Sequence, residues 1–518
     1  MKRIYLLFML TFFTVALSDT AFAQVGDIGF FGGTTEGRKL PKTTELILAE
    51  DDDNTDDTFI YKEIILLDGI PTEFEGNMTV SNNLEIGEDE TSGTGTIAYN
   101  ITPSTTAAAL GATLNRSITF DVNWRKEGSQ IIKDLEVRSW TEDVTTTVGN
   151  YSIDESRSHF SVSVIEDHTP GVVYSKGNLS MNAVYTTGEG GEEEEGEGGA
   201  TSSTTIQSTG SIYSFDTAWS ATETHRIDTW VYAPTWQMQY QIRPSIAVNK
   251  TLQYSQNEPT AISFKGNYME VIQNKSSISY DIFVKPNQFY NVPDKGSVSI
   301  PSYNSFEQLI APDTSFLQGH FAEADINRLF SMQVLTGNPR NYRPDQAITR
   351  GQFVEALTRA VKLPIDLEEV NQSSRTRMVV NVAFPDVMPE RAEYPYIMAA
   401  YRAGLAIGRD NGNFYIDSPI ERQEAIVILV RTLGLSNLGL DPTPITPFTD
   451  DTQIGDWAKK EIYAAQRIGL ISGDVNGNIR PADLISKAEG AALVNRMIDY
   501  MRYDLVTDYT EHIVNYAY

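Results

Sequence analysis

The chain has 518 residues, contains no cysteine and carries a formal net charge of −29. The absence of cysteine excludes disulfide bonds, thiolate metal sites and a cysteine nucleophile, so folding has to rely on hydrophobic cores, which this length permits. The acidic balance argues against a nucleic-acid partner, because phosphate binding needs a dense basic surface. We therefore expect any anion-binding site to be built locally from a few basic side chains.

The N-terminus has the three parts of a secretory signal peptide. Lys2 and Arg3 precede an apolar run over residues 4–17, and Ala21-Phe22-Ala23 follows as a small-residue cleavage site. The run is short for a membrane-spanning helix, which takes about 20 apolar residues. We predict that residues 1–23 direct export and are cleaved after Ala23, and that the mature chain has no transmembrane anchor.

Residues 24–305 have the pattern of antiparallel β-strands. Apolar and polar residues alternate with a period of two at 118–124, 236–242 and 278–284. This alternation is typical of strands that face a core on one side and water on the other. Turn-forming clusters separate the strands. The predicted fold of this region is therefore all-β, with one or two sandwich-like units.

An acidic low-complexity tract, GEGGEEEEGEGG, interrupts the β region at residues 188–199. Such a composition cannot bury enough surface to offset its ordering entropy, so we predict a disordered loop. The tract either divides two β units, near 24–187 and 200–305, or forms the loop of an elongated hairpin. We favour the hairpin loop.

Three copies of one short plan follow the β region. Each copy has an Asp after Pro or Thr, a helix that ends near a glycine or its equivalent, a polar loop, and a basic residue that opens a second helix. We place the copies and the tail at residues 311–363, 381–435, 446–501 and 502–518. Apolar residues at i, i+3 and i+7, as in Val354, Leu357 and Val361, mark one face of each second helix. Because one helical hairpin cannot close a core alone, we expect the three to pack around a shared axis.

The start of each second helix combines a helix cap with a cation. Thr349 with Gln352, and Ser486 with Glu489, have the spacing of a capping box, in which side chains and backbone N–H groups bond reciprocally. The residue after the cap is basic in all three copies, namely Arg350, Arg422 and Lys487. A cation there opposes the helix dipole by roughly 0.3–1 kcal/mol. We interpret its repetition as a sign that an anion binds there, held by the cation and free N–H groups together. A solvated side chain, or a salt bridge to a neighbouring copy, is the alternative.

This threefold pattern resembles the S-layer homology (SLH) domain, a module that fastens bacterial surface proteins to secondary cell-wall polysaccharide. The resemblance covers residues 311–503 and implies that the basic residues meet acidic groups of a pyruvylated polymer, whose carboxylate an Arg can grip with two bonds. It also implies that the early Asp and the following aromatic residue of each copy line the grooves. The implied ligand residues are Arg350, Arg422, Lys487, Asp313, Asp386, Asp450, Trp457 and Phe321.

The three copies depart from the pattern to different degrees. The second copy has Ala392 where the aromatic residue belongs, with Tyr394 and Tyr396 nearby, and Glu421 in place of the capping hydroxyl. The first copy has Gln352 in place of the final Glu of the motif. We expect one or two of the grooves to be weak, and the third copy to be the best preserved.

The sequence favours a non-catalytic cell-surface protein whose β region acts as an S-layer lattice unit, an adhesion module or a spacer. The motifs His-Glu-x-x-His and Gly-x-Ser-x-Gly are absent from the sequence. An anchored enzyme that processes carbohydrate or peptide is the main alternative, because sequence spacing does not report the distance between paired carboxylates. A sugar-binding platform of Trp230, Trp236 and Tyr240 is a third hypothesis.

No cofactor is predicted. Calcium is a minor alternative, because Asp52, Asn54, Asp56 and Glu63 fall at EF-hand offsets, but Asp57 stands where that loop needs glycine. A solvated acidic loop is the simpler interpretation. The expected partners are the wall polysaccharide and, for a surface layer, further copies of the chain.

Overall fold

A computed structural model describes residues 28–36, 40, 42–43, 47, 57–86, 91–104, 112–187, 202–255, 267–302, 304–366, 383–409, 411–439 and 441–509. The predicted signal peptide, the acidic tract at 188–199, and Asp52, Asn54 and Asp56 lie outside the described residues. The described strands are β1 (Thr34–Thr35), β2 (Asp57–Ile65), β3 (Thr72–Ile86), β4 (Ser92–Pro103), β5 (Thr113–Glu127), β6 (Gln130–Thr145), β7 (Asn150–Ile153), β8 (His159–His168), β9 (Val173–Thr187), β10 (Ser202–Asp216), β11 (Ser220–Tyr232), β12 (Gln237–Ser255), β13 (Asn267–Val284), β14 (Lys295–Ile300) and β15 (Asn304–Gln308).

Helices follow the strands. They are α1 (Glu323–Ser331), α2 (Arg350–Ala360), α3 (Tyr394–Arg402), α4 (Arg422–Thr432), α5 (Asp456–Arg467), α6 (Lys487–Asp499), a π-helical turn (Tyr500–Asp504) and α7 (Leu505–Asp508). Across the residues covered by the structure, no helix combines the length and the apolar character needed to cross a bilayer. The predicted division into an all-β N-terminal region and a helical C-terminal region is confirmed.

The period-two pattern sets which face of each strand is buried. In β5, Ile118, Phe120, Val122 and Trp124 are all at most 5 % exposed. The residues between them and beside them are mostly exposed or half-buried. The apolar side chains therefore point to one interior, as the alternation predicts.

The described strands form one antiparallel sheet in which most strands pair with their neighbours in sequence. β9 and β10 pair from Thr187 with Ser202 onward, so residues 188–201 connect two adjacent strands. The sheet curls until β14 contacts β2. Its inner faces enclose a single core that includes Tyr61, Phe120 and Val231. The sandwich-like interior thus comes from one sheet that curls back on itself.

The three helical copies pack around a pseudo-threefold axis. The N–H of Ile348 donates to the carbonyl of Ile485 (3.0 Å), that of Ile485 to Ile420 (3.2 Å), and that of Ile420 to Ile348 (3.2 Å). This ring joins the extended residues that precede α2, α4 and α6. The second helices of the three copies therefore begin side by side, and their apolar faces share one core.

The sheet and the helical copies are joined by a common hydrophobic core. Trp219, in the turn between β10 and β11, is 1 % exposed and donates its indole N–H to the carbonyl of Ala360 in the first copy (2.8 Å). Tyr174 donates its hydroxyl to the carbonyl of Leu433 in the second copy (2.9 Å). Both aromatic rings belong to the core that the helices form.

The chain after α6 also enters this junction. Arg502 is buried in the π-helical turn, and its Nε donates to the carbonyl of Lys250 on β12 (2.7 Å). Tyr509 donates its hydroxyl to the carbonyl of Ser175 on β9 (2.6 Å). The hydroxyl of Ser220 on β11 donates to the carbonyl of Met501, the last residue of the third copy. Buried hydrogen bonds therefore join one end of the sheet to all three copies and to the segment that follows them.

Candidate binding grooves between the helical repeats

Each motif cation points toward the next copy around the axis, which defines three clefts. The first groove lies between Arg350 and the second copy, the second between Arg422 and the third copy, and the third between Lys487 and the first copy. The N–H of each cation donates to a carbonyl of that next copy: Arg350 to Ser418 (2.9 Å), Arg422 to Asp483 (2.9 Å) and Lys487 to Gln346 (2.8 Å).

The backbone N–H groups at these helix starts are already bonded. The second helical N–H of each copy also reaches a carbonyl of the next copy: Gly351 to Ile416 (3.0 Å), Gln423 to Pro481 (3.0 Å) and Ala488 to Pro344 (2.9 Å). The third is held by the cap, as in Glu489 N–H to Ser486 Oγ (3.2 Å). The expectation that free N–H groups help to hold an anion is therefore wrong, because packing of the copies around the axis uses them. Any anion must be held by side chains.

The first groove contains a shared carboxylate. Arg350 donates to Glu424 (3.2 Å) and to the carbonyl of Ile407 (3.0 Å), and its guanidinium lies 5.0 Å from the ring centroid of Phe414. Arg409, half-exposed at the rim, donates to the same Oε1 of Glu424 (2.8 Å). Burial lowers the pKa of Arg350 below its ordinary value; Glu424 opposes this effect and Arg409 adds to it. One carboxylate thus serves two guanidinium groups, which leaves a net positive charge near Arg409.

The second groove contains a one-to-one ion pair. Arg422 donates to Glu489 at 2.6 Å, and the Arg422 side chain is largely buried. Burial alone would raise the pKa of Glu489, but Arg422 and the N–H of Ser486 outweigh it and lower the pKa below its ordinary value. The salt bridge to a neighbouring copy, which the sequence left open as an alternative, is therefore what the structure contains here.

The third groove differs from the other two. The ammonium of Lys487 lies 5.7 Å from the ring centroid of Tyr342, and the Tyr342 hydroxyl donates to the carbonyl of Lys487 (3.0 Å). In the motif of the first copy, Gln352 stands where the second and third copies have Glu424 and Glu489. Within the described residues, Lys487 takes part in no ion pair.

Two of the three early Asp residues have a structural task. The carboxylate of Asp386 accepts the N–H groups of Phe414 (2.8 Å) and Tyr415 (2.6 Å). Asp450, which is buried, accepts those of Ile479 (2.9 Å) and Arg480 (2.7 Å). These carboxylates fix the polar loop of their own copy, and their role toward a ligand stays a prediction.

Asp313 has a different environment from its two counterparts. It is exposed and accepts two bonds from Arg340, at 2.5 and 2.8 Å. Hydrogen bonds from Arg340 and Ser315 lower the pKa of Asp313 to about 2. The residue neutralises Arg340, and its role toward a ligand stays a prediction.

The aromatic residues named from the sequence are exposed in two copies only. Trp457, near the start of α5, is 53 % exposed, and Phe321, just before α1, is 71 % exposed. Tyr394 and Tyr396, the candidates of the second copy, lie in the first turn of α3 and are buried. The N–H of Gly455, two residues before Trp457, donates to Gln423 of the second copy (3.1 Å), so this ring lies near the interface of the second and third copies.

Sequence reasoning missed three groups that shape the grooves. Arg409 follows the glycine of its loop, and only the packed structure brings it onto Glu424. Phe414 and Tyr342 occupy equivalent places under the cations of neighbouring copies. Their signal in the sequence was an aromatic residue at the end of the polar loop in both copies.

The aromatic platform predicted on the β region does not form as expected. Tyr240 is buried, and Trp236 packs edge-on against Phe289 with ring centroids 5.3 Å apart. Trp230 instead lies beside Tyr232 on the outer face of β11, with the two ring planes within 14° of each other. Trp236 and Tyr240 lie at the core-facing positions of the alternation at 236–242, whereas Trp230 lies on the opposite face of its strand.

A buried acid cluster lies inside the sheet. Arg116 donates to Glu63 (2.7 Å) and to Glu142 (2.7 Å), and all three side chains are at least nine-tenths buried. Tyr61 also donates to Glu63 (2.6 Å). The enclosed cavity beside the cluster measures about 60 Å³. Glu63 therefore belongs to the interior of β2, which corrects its assignment to a calcium loop.

No group of three or more His, Asp or Glu side chains among the described residues is placed to hold a metal ion. The loop at 474–478, which resembles a calcium loop in sequence, is held by its own backbone. Asp474 accepts the N–H groups of Asn476 (2.9 Å) and Asn478 (3.0 Å). The loop is therefore an ordinary polar turn.

Comparison with known proteins places three S-layer homology domains in the helical region. The family profile for the S-layer homology domain matches residues 317–354, 383–426 and 447–491. The chain therefore carries SLH domains, which indicates anchoring at the cell surface. The resemblance inferred from the motif is confirmed.

The curated relatives are both structural and enzymatic proteins. The chain is 29 % identical to the S-layer protein of Bacillus licheniformis over 177 residues. This aligned region covers 34 % of this chain and 18 % of the relative. It is 26 % identical over 185 residues to exoglucanase XynX of Acetivibrio thermocellus (35 % and 16 %). It is 25 % identical over 185 residues to amylopullulanase of Thermoanaerobacterium thermosulfurigenes (35 % and 9 %). The chain spans about a tenth to a fifth of the length of these relatives.

Proposed function

We propose that this protein is held non-covalently at a bacterial cell wall by acidic polysaccharide bound in the inter-repeat grooves, and that it displays its β region outward. The observation that carries the proposal is the triplicated placement of Arg350, Arg422 and Lys487 at clefts between copies. In a chain with a net charge of −29, a cation that keeps its charge in such a cleft, as Lys487 does among the described residues, attracts anions locally.

The ligand that fits best is a sugar carboxylate, such as the pyruvate ketal of a secondary wall polymer. A carboxylate is planar and small, so it can meet a single ammonium or guanidinium at the rim of a cleft. Trp457 and Phe321 are exposed, with Trp457 near the interface of the second and third copies, and both offer ring faces to the apolar sides of sugars. The similarity to S-layer homology domains supports the same class of ligand.

The β region is proposed to be a non-catalytic module, used as a lattice unit, an adhesion module or a spacer at the extracellular surface. Its junction with the helices supports a display role, because buried hydrogen bonds to all three copies fix the orientation of the sheet relative to the anchor. Export through the N-terminal segment 1–23 is part of this proposal.

An anchored carbohydrate-processing enzyme is the second candidate, favoured by the exoglucanase and amylopullulanase among the relatives. The buried pair Glu63 and Glu142 speaks against this use, because Arg116 donates to both carboxylates and the cavity of about 60 Å³ is far below the roughly 300–1,000 Å³ of ligand pockets. Release of reducing sugar from wall polysaccharide by the purified full chain, lost in a Glu142→Gln variant, would favour the enzyme.

The anchor proposal is tested by co-sedimentation of the full chain with purified bacterial walls whose polysaccharide carries pyruvate ketals. We expect the protein to pellet with intact walls, to stay in solution with walls from which the polysaccharide has been extracted by acid, and to be released by the soluble polymer. Equal binding to both wall preparations would refute it. Replacement of Arg431, an exposed cation on α4 outside the grooves that pairs with Glu461, by Gln serves as the control for nonspecific charge effects.

A further inference from the structure

The three grooves share one backbone frame, so their side chains can be compared position by position. In each groove the cation and the following residue donate their N–H groups to equivalent carbonyls of the next copy. The third helical residue of that next copy closes the capping box: Glu424 in the first groove, Glu489 in the second and Gln352 in the third. The backbone hydrogen bonds are therefore the same in all three grooves, and the third residue of the second helix is charged in two of them and neutral in one.

Where the residue at this position is charged, it forms an ion pair with the motif cation. Glu424 lies 3.2 Å from Arg350, and Glu489 lies 2.6 Å from Arg422. Gln352 has the same length as Glu and the same role in the cap, where its Oε1 accepts the N–H of Thr349 (3.4 Å). It cannot neutralise a cation, because an amide carries no charge.

We infer that Gln352 is the specificity-determining residue of the anchor and that the third groove, around Lys487, is the one that takes a carboxylate ligand. This inference rests on the proposed function. A carboxylate that enters the first or second groove meets a resident carboxylate at the same cation and has to displace it or bind beside a like charge. In the third groove it meets Lys487 with no competitor among the described residues.

The surroundings of Lys487 strengthen the contrast. The Tyr342 ring lies under the ammonium and holds it in the cleft without neutralising it. Arg343, beside Tyr342, donates to the carbonyls of Arg340 and Tyr342 and pairs with no carboxylate within the part of the chain described. Lys487 therefore keeps its charge in the third groove, whereas Glu489 neutralises Arg422 in the second and Glu424 pairs with both Arg350 and Arg409 in the first.

Gln352→Glu tests the inference with a change of charge alone. Glu is the residue that closes the capping box in the other two copies, so the fold should tolerate it. Binding to the pyruvate-ketal polysaccharide, released from walls and measured by calorimetry with the full chain, should weaken tenfold or more in Gln352→Glu and in Lys487→Gln. Arg422→Gln should weaken binding less than Lys487→Gln does, and Arg431→Gln, the control outside the grooves, should change it less than threefold.

Two further variants separate charge from packing. Gln352→Leu removes the amide without adding charge, and it should keep binding within threefold of the parent. Gln352→Glu combined with Glu489→Gln closes the third groove and frees Arg422 in the second, so it should recover at least part of the lost affinity. Circular dichroism and thermal unfolding establish that each variant is folded.

The outcomes distinguish this inference from the proposed function. If the parent chain binds the polysaccharide and Gln352→Glu binds equally well, the assignment of the third groove is overturned and the anchor stands. Equal losses for all three cations would overturn it in the same way. If the parent chain does not bind the polysaccharide at all, both the proposed function and this inference fail.

Discussion

Replacing Trp219 by alanine is expected to destabilise the sheet and the helical copies together. The indole is 1 % exposed, belongs to the core that the helices form, and donates to the carbonyl of Ala360 at 2.8 Å. The ammonium of Lys250 lies 5.3 Å from its ring centroid. The substitution removes a large side chain from the junction and leaves a buried carbonyl without its donor.

The size of the effect follows from burial. Replacement of a fully buried Trp by Ala costs about 3–5 kcal/mol, because transfer free energy is lost and a cavity remains. For domains of 150–250 residues, 1 kcal/mol shifts Tm by roughly 2–4 °C, so we expect a decrease on the order of 5–10 °C for this larger chain. The matched control is Trp457→Ala, the same chemical change at a ring that is 53 % exposed, which should cost less than about 1 kcal/mol.

The assay is thermal unfolding followed by far-ultraviolet circular dichroism at wavelengths that separate helix from strand, together with tryptophan fluorescence. Because the two regions share a core, both signals should move to lower temperature by the same amount in Trp219→Ala. If Trp219→Ala lowers the midpoint temperature of the strand signal but leaves that of the helical signal at the value of the parent protein, the shared core is refuted. It is also refuted if Trp219→Ala has the same Tm as the control Trp457→Ala.

Three further predictions concern buried charges and caps. Arg116→Ala leaves the two glutamates that it bridges uncompensated in the interior and should destabilise the protein by about 3–5 kcal/mol in urea unfolding, or prevent folding. Burial alone would raise the pKa of Glu166, but Lys133 and His168 outweigh this effect and lower the pKa to about 2, below its ordinary 4.5. The resulting stabilisation of the folded state is present above pH 4.5 and should be lost as the pH falls toward 2. Glu166→Gln should make the free energy of unfolding less dependent on pH in this range. Ser486→Ala removes the N-cap of α6 and should cost about 1 kcal/mol, whereas the same change at the exposed hydroxyl of Ser305 should cost little.

Much of the fold could be predicted from local patterns. The inward side chains of β5 follow the period-two alternation, and the capping boxes at Thr349 and Ser486 form as their spacing predicts. These features depend on residues close in sequence, so the sequence alone specifies them. The partners of the motif cations could not be predicted, because Glu424 reaches Arg350 only after the copies close around the axis.

The same division holds for the binding site. The sequence by itself determined that a cation opens each second helix, that the copies are unequal, and that Gln352 departs from the motif. Only the tertiary structure decided that the helix N–H groups are consumed by neighbouring copies and that Asp386 and Asp450 hold their own loops. It also decided that the departure at Gln352 falls opposite Lys487. The physical reason is that charge neutralisation acts across interfaces, between groups more than 60 residues apart in the chain that become neighbours only when three hairpins share one core.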